Sequence, residues 1–151
     1  MTDAGRSERR PLSLEQVTFL DLLRTSNRLG EGVVEVLRPA GLTPTQYNVL
    51  RILRGSGHPL TCGEIGERMI TRDPDVTRLL DRLLKRGLVT RARSRKDRRV
   101  VVTDITAEGL RILQELDEPV ARLHREQLGH LGPDRLRELG RLLEEAREGA
   151  G

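Results

Sequence analysis

Apolar residues recur every three or four positions along most of the chain, and the pattern breaks wherever proline, glycine or a capping residue intervenes. Residues 1–12 are polar, with Gly5 and Pro11, and read as a loose arm. Ser13 precedes Glu15 and Gln16 and reads as a helix cap. Leu14, Val17, Leu20, Leu23, Leu29, Val33, Val36 and Leu37 then predict one long amphipathic helix, which stops before Pro39. Thr43-Pro44 opens a second helix with threonine as cap and proline at its first position. Tyr47, Leu50 and Leu53 mark its buried face, and Gly55-Ser56-Gly57 ends it. Thr61 and Glu64 have capping-box spacing at the start of a short helix carrying Ile65 and Met69. Asp73 and Pro74 predict the next start, with Asp73 as cap and Pro74 as first residue. Val76, Leu79, Leu80, Leu83 and Leu84 form its buried stripe, while Thr77, Arg78, Asp81, Arg82 and Lys85 fall mostly off it. Gly87 is its stop.

The period then changes. Residues 88–93 and 100–105 read as two short strands around the charged loop 94–99, a hairpin longer than a tight turn. Thr106 caps a helix running through Leu110, Leu113 and Leu116 towards Leu128, which Pro119 kinks or divides. A last helix follows Gly132-Pro133, with Leu136, Leu139, Leu142 and Leu143 on one face. Short helix, turn, amphipathic basic helix, strand, loop and strand together make a winged helix. The expected fold is mainly α with a small β-hairpin wing: a winged helix-turn-helix flanked by long N- and C-terminal dimerisation helices. The expected division is an arm and dimerisation helix over 1–38, the winged helix domain over 42–106, and C-terminal dimerisation helices over 107–151.

Charge sharpens this reading. The net charge of the 151 residues is only +4, but residues 68–106 carry 12 basic and 5 acidic side chains. The preceding stretch is neutral and the following one is acidic, so the basic middle is the part suited to a polyanion. Phe19 and Tyr47 are the only aromatic residues, which argues against modules that stack single-stranded bases on several rings. No apolar run approaches a membrane span, the first ten residues lack the apolar stretch of a signal peptide, and the single Cys62 excludes an internal disulfide framework. A cytoplasmic location is expected.

A duplex major groove admits an α-helix, and base edges there present distinguishable donors and acceptors. The amphipathic basic helix is expected to insert N-terminus first, with Asp75, Thr77 and Arg78 nearest the groove floor and Arg72 and Arg82 flanking. Arg78 suits a bidentate contact to guanine, and Thr77 a thymine methyl or a phosphate. Asp75 suits either a cytosine amino group or a cap at the helix start. Arg95, Lys96, Arg98 and Arg99 occupy a projecting tip that can reach phosphates or a minor groove. Asp97 among them can accept a bidentate bond from a neighbouring arginine and fix its aim. The bland alternative for each of these residues is a solvated charged turn.

Three stretches, DVTRLLDRLLKRGLV (75–89), RSRKDRRVVVTDIT (93–106) and AEG (107–109), resemble the MarR family of bacterial transcription regulators, which are dimeric winged helix proteins. The family's Asp-x-Arg wing motif falls on Asp97 and Arg99, and its Leu-Thr before the fifth helix is here Ile105-Thr106. The resemblance implies that Arg99 reaches the minor groove, that Asp97 holds the wing arginines, and that residues 74–82 supply major-groove contacts. It also implies a small-molecule effector bound between the dimer helices and the winged domain, where Phe19 and Tyr47 are the candidate aromatic faces. Terminal helices with apolar stripes outside the winged core point independently to a second chain, with Leu14, Val17, Leu136, Leu139 and Leu143 in or near the interface.

The resulting expectation is a homodimeric, sequence-specific repressor on a pseudo-palindromic operator. The alternative is a winged helix module that binds protein without DNA. No nucleophile–base spacing or phosphate-cradling glycine loop appears, so an enzyme is not expected. The three histidines and Cys62 form no metal-ligand spacing, and neither metal nor cofactor is expected. Cys62, just inside a helix cap, is a candidate redox site against the plainer reading of a small packed cysteine.

Overall fold

The computed structural model describes residues 10–151, so most of the expected arm lies outside the described residues. The chain divides into two compact units, residues 1–31 and 32–151, with the boundary inside the first helix. That helix, α1 (Leu14–Leu37), starts at a reciprocal cap: Ser13 Oγ accepts from the Gln16 amide at 3.1 Å, and Gln16 Oε1 accepts from the Ser13 amide at 2.8 Å. In the first unit Leu14, Val17, Phe19, Leu22 and Leu23 remain exposed, while Leu20 and Leu29 are half-buried. It ends at Leu37, where Pro39 and a 3-10 turn over Arg38–Ala40 stop the ladder.

The second unit holds the core. α2 (Pro44–Ser56) is capped by Thr43 and buries Tyr47, Val49, Leu50 and Leu53. β1 (Leu60–Thr61) leads directly into α3 (Cys62–Arg68), whose capping box joins Thr61 and Glu64. α4 (Val76–Lys85) buries Leu79, Leu80 and Leu83. β2 (Val89–Arg93) and β3 (Val101–Ile105) pair antiparallel with Arg93 opposite Val101, forming the hairpin. α5 (Ala107–Leu128) contributes Ile112, Leu113, Leu116 and Val120, and α6 (Pro133–Gly149) buries none of its residues. Among the described residues, no helix is long and apolar enough to cross a membrane.

Four features differ from the sequence expectation. The hairpin is part of a three-stranded sheet in the order β1-β3-β2, because Leu60 and Thr61 pair with Thr103 and Val102. Two residues are too short to display a period. α4 begins at Val76, capped by Asp75 and not by Asp73. Asp73 Oδ1 instead accepts from the Asp75 amide at 2.8 Å, a local turn that delays the helix past Pro74. Leu84 is 41% exposed and drops out of the buried stripe. Finally, α5 runs unbroken through Pro119, so proline costs the helix a hydrogen bond without dividing it.

The α4–β2 turn is docked on the start of α5. Gly87, at φ 70°, lets the chain leave α4, and its carbonyl accepts from Thr106 Oγ1 at 2.7 Å. The Leu88 carbonyl accepts from the Thr106 amide at 3.1 Å. The next turn of α5 comes so close that a Cβ on Gly109 would lie 2.6 Å from the Leu88 oxygen and 2.7 Å from Ile105 Cγ1. Across the core, Arg54 on α2 makes two 2.9 Å bonds to the Asp117 carboxylate on α5, and this bonding lowers the Asp117 pKa.

Gly109→Ala tests the close approach. The helix propensity gain of about 1 kcal/mol favours alanine, but the backbone clash opposes it with roughly 1–3 kcal/mol, so urea unfolding should show net destabilisation. A stabilised variant would contradict the packing described. The Arg54–Asp117 pair has a definite pH signature, since a lowered carboxylate pKa gives stability that is complete above about pH 4 and lost as pH falls through the folded value. Wild type should lose more stability on acidification over that range than Asp117→Asn does; parallel losses would remove the pair's role.

Candidate nucleic-acid interface

The burial of Leu79, Leu80 and Leu83 turns Arg78, Arg82 and Lys85 outward on α4, with Asp81 between them. Asp81 is not left as a bare anion. Arg91 Nη1 on β2 donates to its Oδ1 at 2.8 Å. Alternation along the hairpin explains the reach: Arg91 is opposite Thr103, which is 2% exposed, so its side chain starts from the core face of the sheet. The Arg91 side chain is 25% exposed, and its Nε is buried without a partner. This contact joins wing to helix through two side chains. At the other end of α4, Arg86 donates to the carbonyls of Gly41 at 2.7 Å and Ala40 at 2.9 Å, holding the helix C-terminus to the turn before α2.

The start of α4 is equally constrained. The Asp75 side chain accepts from the Arg78 amide at 3.0 Å, and its other oxygen lies 3.3 Å from Arg78 Nε. Arg78 is thus folded back over its own helix cap, though 71% exposed. Thr77 is exposed, with Oγ1 3.9 Å from the sulfur of Cys62, the partly buried first residue of α3. Arg72, Arg82 and Lys85 are exposed, and among the described residues their side chains have no hydrogen bond or ion pair.

The wing tip organises itself through short-range bonds. The Ser94 amide donates to the Val100 carbonyl at 2.8 Å, and the Val100 amide donates to the Asp97 carbonyl at 3.0 Å. The Asp97 carboxylate accepts from the Arg99 amide at 3.0 Å and from Arg99 Nε and Nη2 at 3.2 and 3.4 Å. The Arg99 side chain, then its amide, hold the Asp97 pKa below the ordinary aspartate value. Arg93 Nη1, at the loop end of β2, donates to the Arg98 carbonyl at 2.8 Å. Arg99 projects with 92% of its side chain exposed. The Arg95, Lys96 and Arg98 side chains are exposed and have no partner among the described residues.

Sequence reasoning missed Arg86, Arg91 and Arg93, which it grouped with the general positive charge. The signal for Arg91 was available: strand alternation from the buried Val89 places it on the inner face, where an arginine needs a carboxylate. The other candidates are placed as follows. Tyr47 is 8% exposed in the core of the second unit, with the Arg51 guanidinium 5.8 Å from its ring centre; Phe19 is 60% exposed in the first unit. Leu14, Val17 and Leu139 are exposed, and Leu136 and Leu143 are half-buried. Among the described residues, no group of histidine, cysteine and carboxylate side chains could hold a metal ion.

Comparison with known proteins bears on this surface. The family model described as MarR family matches residues 40–100. A MarR transcription factor from Planctomyces limnophilus is 43% identical, with 89% of this chain and 98% of that one covered at a TM-score of 0.67. A mutant MarR from E. coli, solved in complex with operator DNA, is 27% identical, with 91% and 98% covered at a TM-score of 0.80. The HTH-type transcriptional regulator PrsX of Escherichia coli is 31% identical over 113 residues, 74% of this chain and 68% of its own length.

Removing the carboxylate that faces Arg91 should cost more than removing a fully solvated one. Asp81→Ala is expected to lower stability by about 1 kcal/mol, because the desolvated guanidinium loses its partner. Asp21→Ala, which breaks an exposed pair on α1, should change it by less than about 0.5 kcal/mol. Equal shifts in urea midpoint would contradict the structural role given to Arg91.

Proposed function

Because the chain belongs to the MarR family of DNA-binding transcription regulators, which are not enzymes, we propose that it acts as a homodimeric repressor on a roughly palindromic operator. One observation carries this reading. Six basic side chains without a partner among the described residues, Arg72, Arg82, Lys85, Arg95, Lys96 and Arg98, lie together on α4, its approach and the wing, and every aspartate among them is occupied. Other such arginines, Arg122, Arg135 and Arg147, are spread along α5 and α6 among carboxylates. A duplex meeting that surface finds unpaired cations on a packed frame, so that binding orders side chains but not the backbone that carries them.

On this reading α4 enters the major groove, and Arg78 leaves its cap to donate two bonds to a guanine. The exposed Arg78–Asp75 pair opposes this weakly, since such pairs contribute under about 1 kcal/mol. Asp75 stays a cap, Thr77 contacts a methyl or phosphate, and Arg72 and Arg82 hold the flanking backbone. Arg99, aimed by Asp97, reaches the minor groove beside Arg95, Lys96 and Arg98.

The dimerisation reading assigns residues 1–38 and 107–151 to subunit pairing and 42–106 to DNA. It is supported by the exposed apolar residues of α1 and by α6, where Leu139 and Leu142 are 37% and 48% exposed and nothing is buried. Leu14, Val17, Leu136, Leu139 and Leu143 are the proposed contacts. Two recognition helices about 34–36 Å apart would then match two half-sites, and the bound dimer would bar the polymerase from an overlapping promoter. An effector that loosens this grip has room in a cavity of about 380 Å³ lined by Glu35, Val36, Ala40, Ile112 and Leu116, within the size range of small-ligand sites.

Selection from a random duplex pool should yield a two-fold symmetric site, and Arg78→Ala should bind that site roughly 10-fold or more weakly while losing little on random duplex. Equal losses on both would refute its base-reading role. Sedimentation equilibrium should give a dimer that Leu139→Glu with Leu143→Glu converts to a monomer. A wild-type monomer at micromolar concentration would overturn the paired arrangement.

A further inference from the structure

The side chain of Ile70 is 88% exposed, more than any other large apolar residue described. It occupies the turn between α3 and α4. Met69 before it is 7% exposed and closes α3, so the chain turns one apolar side chain into the core and the next one out. The outward position is fixed, because the Ile70 amide donates to Asn48 Oδ1 on α2 at 3.0 Å.

The surroundings identify what would cover it. The exposed leucines of α1 and α6 recur at helical spacing and form faces, as a protein interface requires. Ile70 stands alone. Thr71 and Arg72 beside it are exposed, Arg68 lies two residues before it, and Asp75, the cap of α4, lies five residues after it. Cores of protein interfaces are depleted in charge, whereas an aliphatic group among arginines suits a duplex groove. There the cations take phosphates and the one apolar feature on a base edge is the C5-methyl of thymine.

We propose that Ile70 is a specificity-determining residue that packs against a thymine methyl group at the edge of each half-site. The inference rests on the reading that α4 enters the major groove and adds a contact, from the turn before that helix, to a base beyond those its polar residues reach. Arg72, without a partner among the described residues, would take the adjacent phosphate and set the depth at which Ile70 meets the base.

The test uses the full-length protein and the duplex selected from a random pool. Each thymine of the half-site is replaced in turn by deoxyuridine, which removes only the methyl group, and affinity is measured for wild type and Ile70→Ala. One replacement should weaken wild-type binding roughly three- to tenfold and leave Ile70→Ala unchanged, while Ile70→Ala binds the unmodified site more weakly by the same factor and random duplex normally. Thermal unfolding should be unchanged, since the side chain packs against nothing. Equal deoxyuridine effects in both proteins, equal loss on selected and random duplex, or no loss at all would each overturn the proposal. Failure of wild type to bind any duplex would overturn the DNA-binding surface itself, a separate outcome from an Ile70 without coupling.

Discussion

A surface built for a polyanion must still use carboxylates, because aspartates cap helices and fix turns, and each one left bare would repel the partner. The segment from residue 68 to 106 resolves this locally. Asp73 accepts the Asp75 amide, Asp75 accepts the amide and faces the guanidinium of Arg78, Asp81 takes Arg91, Asp97 takes Arg99 and Asp104 accepts the Ile105 amide. The anions are spent on shape. Of the cations that remain, Arg86 and Arg93 hold backbone carbonyls, while Arg72, Arg82, Lys85, Arg95, Lys96 and Arg98 have no partner among the described residues and stay outward, and this division of labour underlies the proposed interface.

The frame behind that surface is hydrophobic and stiff. Leu79, Leu80 and Leu83 seat α4 on the core, Arg86 ties its far end to the Ala40–Gly41 carbonyls, and Arg91 ties its middle to the wing. Helix and hairpin are thereby held in one register, so two sets of cations can engage one duplex without a separate ordering cost for each. Gly109 and Thr106 extend the same frame into α5.

Much of this was legible in the sequence because it is local. Caps at Thr43, Thr61 and Thr106, the stripe of α4, the stop at Gly87 and the change to strand period all depend on neighbours a few residues apart. What escaped depends on distance or on competition. β1 exists only because β3 arrives beside it. Asp73 lost the cap because its side chain found the Asp75 amide first. Arg86, Arg91 and Arg93 looked like surface charge because their acceptors lie on other elements or across a hairpin, and Ile70 was passed over because the helical spacing runs through Ile65 and Met69, which do take the inside positions.

The most direct measurement of the central claim is the salt dependence of duplex affinity. If the unpaired cations of two subunits neutralise phosphates, log K for the selected duplex should fall against log salt with a slope of about −5 or steeper between roughly 50 and 200 mM. A slope near zero, or affinity that persists undiminished at the higher salt, would mean that the displayed charge is solvated surface and that something other than the phosphate backbone holds the partner.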